Sequence, residues 1–180
     1  MTELDVSGWQ PVWQPAETQL RHQAGQLTSL RGRRVVDAWI VWNLEHDKWF
    51  ADLPVVIEFD DGGRLEVSWQ KFDELSISWN TIDVAVTPIA WVTWPLQWRS
   101  QGHPALRNVV GCAVRTVEAT QHRLTAHRVD APGNTSAVWM TSGIWLETSG
   151  AGLHLFNALD ENGLSEDLPV DGTEFRRAAI

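Results

Sequence analysis

A chain of 180 residues with 43% apolar and 21% charged side chains is long enough for one domain with a sizeable core, and too balanced in composition for wholesale disorder. Its formal charge of −9 disfavours nucleic acid and anionic membranes as partners, and a single cysteine, Cys112, excludes an intrachain disulfide. The first residues lack a basic stretch followed by an apolar one and no run approaches membrane-spanning length, so a cytoplasmic location is expected.

The aromatic residues are twelve Trp and five Phe with no Tyr, so almost every large ring is an indole with one N–H donor. That is too many for one pocket. High strand propensity assigns most of them to a core or a half-buried sheet and leaves a minority for a cavity or an interface.

Residues 1–14 carry Trp9, Pro11 and Trp13 without periodicity and read as an extended arm pinned by its indoles. Pro15 opens a predicted helix over 15–28, in which Ala16, Leu20, Ala24 and Leu27 recur at roughly helical spacing and Gly25 is the weak position. From Arg33 to Asn43, β-branched and aromatic residues predict a strand, followed by a loop at 45–52. Val55, Ile57 and Phe59 then alternate with Val56 and Glu58. Asp61-Gly62 precedes Leu65, Val67 and Trp69, and because Asp-Gly tolerates the positive φ angles of a tight turn, this is a hairpin. Leu75, Ile77 and Trp79 alternate with Ser76, Ser78 and Asn80 as the next strand. Period two directs Leu65 and Val67, and later Leu153 and Leu155, into the core and turns Glu66 and His154 outward.

Residues 86–104 hold Trp91, Trp94 and Trp98 among Pro88, Pro95 and Pro104, and read as an irregular connection packed across the sheet. Residues 103–111 predict one helical turn ending at Gly111. Strands follow from Gly111 to Ala119, at 137–141, at 143–148 and at 153–157, with a variable stretch around Asp130 and a turn at 149–152. The end of the chain, including Phe175-Arg-Arg-Ala-Ala-Ile, carries no pattern.

Two echoes recur in the same order. Gly32 and Arg34-Val-Val-Asp-Ala match Gly111 and Arg115-Thr-Val-Glu-Ala. Leu65 and Val67 match Leu153 and Leu155, and Asp73-Glu74 matches Asp160-Glu161 after a one-residue slip. The shared order implies internal duplication. The expected fold is mainly β, a sandwich or partly closed barrel of eight to ten strands in two pseudo-repeated halves, with one N-terminal helix. As a single domain, 1–180, it divides into an arm (1–14), a helix (15–28), a first repeat (30–85), a Trp- and Pro-rich connection (86–104), a second repeat (105–166) and a tail (167–180). The Gly-Arg strand openings and the segment Asn157-Ala-Leu-Asp-Glu-Asn-Gly-Leu resemble a family of small actinobacterial β-rich proteins. The resemblance covers about half the chain and implies no particular activity.

Related halves would place Asp73, Glu74, Asp160 and Glu161 in equivalent loops, where with Asn80, Asn157 and Asn162 they could hold a hard cation. No EF-hand spacing accompanies them, and Asp and Asn beside Gly are ordinary turn residues, so no metal and no cofactor is expected. Asp73, Glu74, Asp160, Glu161, Asn80, Asn157 and Trp79 form instead the candidate binding surface: carboxylates around an indole anchor. Among the six histidines, His154 is the candidate catalytic base, because it lies in the repeated strand close to Asp160 and Glu161. His122 and His127, five apart, fall on opposite faces of a strand. Cys112 reads as an inert thiol, and neither a nucleophile elbow nor a phosphate-binding glycine loop occurs.

The function that fits is a soluble, non-catalytic binding protein of immunity or adaptor type, acting on a protein partner through an acidic, Trp-bearing surface. The alternative is a β-barrel that binds or transforms a small molecule in a Trp-lined cavity, and a third reading is glycan binding at Trp platforms. An enclosed cavity with converging polar groups would favour the second reading, and a filled core the first.

Overall fold

A computed structural model describes residues 5–89, 94–127 and 135–180; Trp91 and the variable stretch from Asp130 to Asn134 lie outside the described residues. Among the described residues the architecture is mainly β, with two sheets and no closed barrel. After the two-residue strand β1 (Gln14–Pro15) comes α1 (Ala16–Thr28), whose Ala16, Gln19, Leu20 and Leu27 are buried. The first sheet adds β2 (Val35–Asn43), the short β3 (Lys48–Trp49), β4 (Val55–Phe59), β5 (Arg64–Gln70), β6 (Glu74–Trp79) and β7 (Leu96–Ser100). Its order is β1-β6-β5-β4-β2-β3, and β7 also pairs with β2. The second follows α2 (Pro104–Val109) and consists of β8 (Val114–His127), β9 (Thr135–Thr148), β10 (Gly152–Asn157), β11 (Asn162–Ser165) and β12 (Phe175–Ala179), in the order β11-β10-β9-β8-β12.

Each half runs helix first, then four antiparallel strands in sequence: α1, β2, β4, β5, β6 and α2, β8, β9, β10, β11. The two units meet through reciprocal backbone hydrogen bonds. Gly32 N–H donates to Val114 and Gly111 N–H to Val35, both at 2.8 Å, while Val35 N–H donates to Cys112 at 3.0 Å and Val114 N–H to Arg33 at 2.8 Å. Exchanging Gly32–Val35 for Gly111–Val114 maps this set onto itself, which is a local twofold relation. Both glycines have positive φ, +87° and +85°, so each turns the chain from helix to strand in a conformation that disfavours a side chain. Arg34 bridges to Ala113, so the equivalence runs two residues short of the Arg34–Arg115 match read from the sequence.

The face between the sheets is apolar, with Phe59 and Trp69 buried among aliphatic side chains. Leu65, Val67, Ile57, Leu153, Leu155 and Ile144 are all at most 1% exposed and belong to one cluster. A second cluster lies on the outer face of the first sheet, where Val41, Val56, Leu96 and Trp98 are covered by Val6 and Ile82. The arm is held there by the Asp5–Ile89 bridge and by the Asp83 amide donating to Ser7 at 3.0 Å, with Trp9 and Trp13 edge to face at 6.0 Å.

Three expectations need correction. Residues 96–100 form a strand, not an irregular connection, because between Pro95 and Pro104 nothing interrupts the alternation of buried Leu96 and Trp98 with Gln97 and Arg99. Residues 137–148 lie within one strand, since the break at Ser142 is a bulge: Thr120 pairs with Gly143 and Gln121 with Thr141. The patternless end supplies β12, which Phe175 anchors at 3% exposure.

Candidate functional site

The turns that carry the repeated Asp-Glu pairs touch each other. Asn157 Nδ2 donates to the carbonyls of Lys71 (2.9 Å) and Phe72 (3.2 Å), and Asp160 Oδ1 accepts the Lys71 amide. Beneath them Asn162, 3% exposed, accepts the Trp69 amide at 2.9 Å and donates to the carbonyls of Ala51 (2.7 Å) and Leu53 (3.0 Å). The sheets are therefore clasped at this end by amide side chains that satisfy buried backbone groups. Asn162→Ala would orphan the Trp69 amide and the Leu53 carbonyl, while the Ala51 carbonyl keeps the Asn162 backbone amide at 3.0 Å; a loss of about 2–4 kcal/mol in urea unfolding is expected, with Asn162→Asp recovering only the acceptor half.

Asp73, Glu74, Asp160, Glu161 and Asn157 thus come together at one apex, joined by Asp52, whose pKa burial raises, with help from the charge of Asp160. Glu74 bonds Lys71 and Gln70, and these hydrogen bonds hold its carboxyl below the ordinary range. Asp73 offers its carbonyl to the first amide of α1, Ala16, at 2.8 Å. Asn80 and Trp79 do not join them. They sit at the far end of β6, about 17 Å away at 3.4 Å per residue, where Asn80 accepts the Arg64 amide (2.7 Å) and Trp79 Nε1 donates to Gln23 (3.0 Å). Among the described residues no three His, Cys, Asp or Glu side chains are grouped to hold a metal ion, and Asn157 and Asp160 direct their side-chain oxygens to backbone amides in these turns.

His154 lies opposite the core face, as period two requires, yet it is only 3% exposed. The rings on this outer face lie over glycines: Trp145 over Gly152 and Phe156 over Gly163, while His154 and Thr120 close over Gly143. His154 Nε2 meets Thr120 Oγ1 at 2.8 Å, and its ring stacks on Phe156 at 4.9 Å with Trp145 and Phe175 edge-on. Burial, reinforced by His122, pushes its pKa down to about 4. The expected carboxylate partner is replaced by a hydroxyl and an aromatic cage. Such a neutral, shielded imidazole suits packing better than proton transfer.

Two residues that sequence reasoning overlooked stand at the apex. Phe72 is 55% exposed and Leu159 85%, and each immediately precedes an Asp-Glu pair. Leu159 (φ 64°) and Asp160 (φ 77°) are consecutive left-handed residues, closed by the Ala158 amide donating to Glu161 at 2.9 Å. Two positive φ angles in a two-residue hairpin normally select Asn-Gly, so a Leu there was a legible anomaly. By contrast, every described indole is buried or half-buried, and Trp42 and Trp139 lie under Arg99 (3.8 Å) and Arg176 (4.2 Å).

Among the described residues, open surface grooves of about 200–470 Å³ are present, and apolar side chains, Phe59 and Trp69 among them, pack between the sheets. No described helix is long and apolar enough to cross a membrane. Compared with family models, with curated proteins and with solved structures, the chain matches none.

Proposed function

We propose that the chain is a non-catalytic binding protein, of adaptor or immunity type, that captures a basic protein partner at the joined turns. The observation that carries this reading is Leu159. A leucine in the left-handed region costs about 1–2 kcal/mol, and this one is 85% exposed beside a half-exposed Phe72, so neither backbone nor burial accounts for its presence. Around the two apolar residues stand Asp52, Asp73, Glu74, Asp160 and Glu161, with Lys71 tied to Glu74. Apolar anchors within a like-charged rim are the arrangement of an interface that steers an oppositely charged partner. The single cysteine and acidic balance are compatible with the cytoplasm. The ligand-transforming reading would need an enclosed Trp-lined cavity, whereas the grooves found among the described residues open to solvent and none is lined mainly by Trp.

Leu159→Asn separates stability from binding. Because Asn adopts the left-handed region readily, the variant should gain about 1 kcal/mol in urea unfolding, while affinity capture with the wild type and the variant side by side should show the variant losing a basic partner. Asp73→Asn with Glu161→Gln should slow association at low salt and matter less at high salt. A variant that keeps every wild-type partner with unchanged affinity would refute the reading.

A further inference from the structure

Strand β9 pairs with β8 along its length, but β10 covers its other edge only from Gly143 to Glu147. Past Asn157 the chain turns away into the joined turns, so among the described residues no strand pairs this edge from Ala137 to Thr141. Exposed sheet edges are ordinarily blunted by Lys, Pro or inward-pointing charge. The segment Ala137-Val138-Trp139-Met140-Thr141 carries none of these. Beside it opens a groove of about 200 Å³ whose lining includes Pro15, Glu17, Asp73, Leu124, Val138 and Met140. Leu124 and Val138 are direct cross-strand partners, 41% and 56% exposed. The groove's carboxylates are Glu17 and Asp73, and no Lys or Arg lines it; Arg21 is held by Glu17, Lys71 by Glu74, and Arg176 lies over Trp139.

We propose that this edge is a strand slot that receives an extended segment of a basic partner, alternating apolar and cationic side chains. Thr141, 6% exposed, closes the slot beside the bulge where β10 leaves off, and the segment's backbone pairs with Ala137–Met140. Its apolar side chains lie on Leu124, Val138 and Pro15, and its cationic ones reach Glu17 and Asp73, the latter shared with the apex. This is strand addition: main-chain hydrogen bonds supply affinity, and the groove selects the side chains. The choice of a basic partner rests on the function proposed above. A second copy of this chain is the poorer occupant, because each copy carries −9.

The test uses the whole chain and the amidated peptide Lys-Val-Lys-Val-Lys-Val-Lys. Fluorescence anisotropy should show saturable binding that weakens with salt, and hydrogen exchange should slow at those alternate amides of Ala137–Met140 that point away from β8. N-methylating alternate peptide amides, or introducing Val138→Lys or Leu124→Lys at these exposed positions, should each weaken binding at least tenfold. The Glu-Val counterpart should not bind. No binding of the cationic peptide, or binding indifferent to N-methylation with exchange unchanged at 137–140, would overturn the slot. Binding that Phe72→Ser and Leu159→Asn abolish but Val138→Lys spares would overturn the slot and leave the apex reading standing. Self-association of the wild type that Val138→Lys removes would make the occupant a second copy and equally overturn the proposal.

Discussion

Lowering the pH from 6.5 to about 4 is expected to cost the fold about 3 kcal/mol through His154 alone. The folded pKa is depressed, so the neutral ring is the form the fold accepts. Above 6.5 both states are neutral and nothing is lost. Below 6.5 the unfolded chain binds a proton that the folded chain refuses, and the loss grows until the folded ring also protonates near 4. His122 and His103, lowered chiefly by burial, act in the same direction. Asp61 and Glu74, whose folded values lie below their ordinary 3.8 and 4.5, lose their contribution at the acid end of the range. Asp52, raised by burial, opposes them slightly as it is relieved of its charge. Urea midpoints measured from pH 7.5 to 4 should fall steeply for the wild type and much less for His154→Phe. Parallel curves would show that His154 is not the group responsible.

Glu66→Ala should destabilise the chain by roughly 2–4 kcal/mol and loosen the arm. Glu66 is 1% exposed on the outer face of β5. Its carboxylate accepts the amides of Thr81 (2.6 Å) and Ile82 (2.7 Å) and the hydroxyls of Ser78 and Thr81. Alanine would leave the buried Ile82 amide without its acceptor and release the segment against which Gly8 packs, since a Cβ at Gly8 would stand 1.9 Å from the Thr81 carbonyl oxygen. Hydrogen exchange should then quicken at the Asp83 amide, which donates to Ser7, while the amides of β9 and β10 change little at neutral pH. Glu66→Gln, which keeps part of the acceptor set, should fall between. An unchanged midpoint for the alanine variant would mean that water replaces the carboxylate at no cost.

Glu66 and His154 also show where the sequence was readable and where it was not. They occupy matching positions in the echoed strands, and alternation correctly placed both opposite Leu65 and Leu153. What alternation cannot specify is what lies on that other side. For Glu66 it is the chain at Thr81 and Ile82, distant in sequence; for His154 it is rings settled over Gly143, Gly152 and Gly163. In the same way the Asp-Glu pairs were found from the sequence, but their meeting was not. Asn157 grips a turn formed by residues more than eighty positions earlier, and no local pattern encodes that separation.

Elements with strong local signals were legible in the amino-acid order: the helix opening at Pro15, the Asp61-Gly62 hairpin, the two-residue periodicity of β4 to β6 and of β10, and the repeated order of the halves. These follow from short-range physics, since backbone sterics at glycine and side-chain alternation act within a few residues. Long-range packing alone sets which outward-facing groups are buried, brings five of the seven predicted binding residues to one apex while Asn80 and Trp79 stay apart, and leaves an edge of β9 unpaired among the described residues. Burial and adjacency are properties of surfaces brought together from distant parts of the chain, and the free energy of covering Glu66 or exposing Leu159 exists only once those surfaces meet.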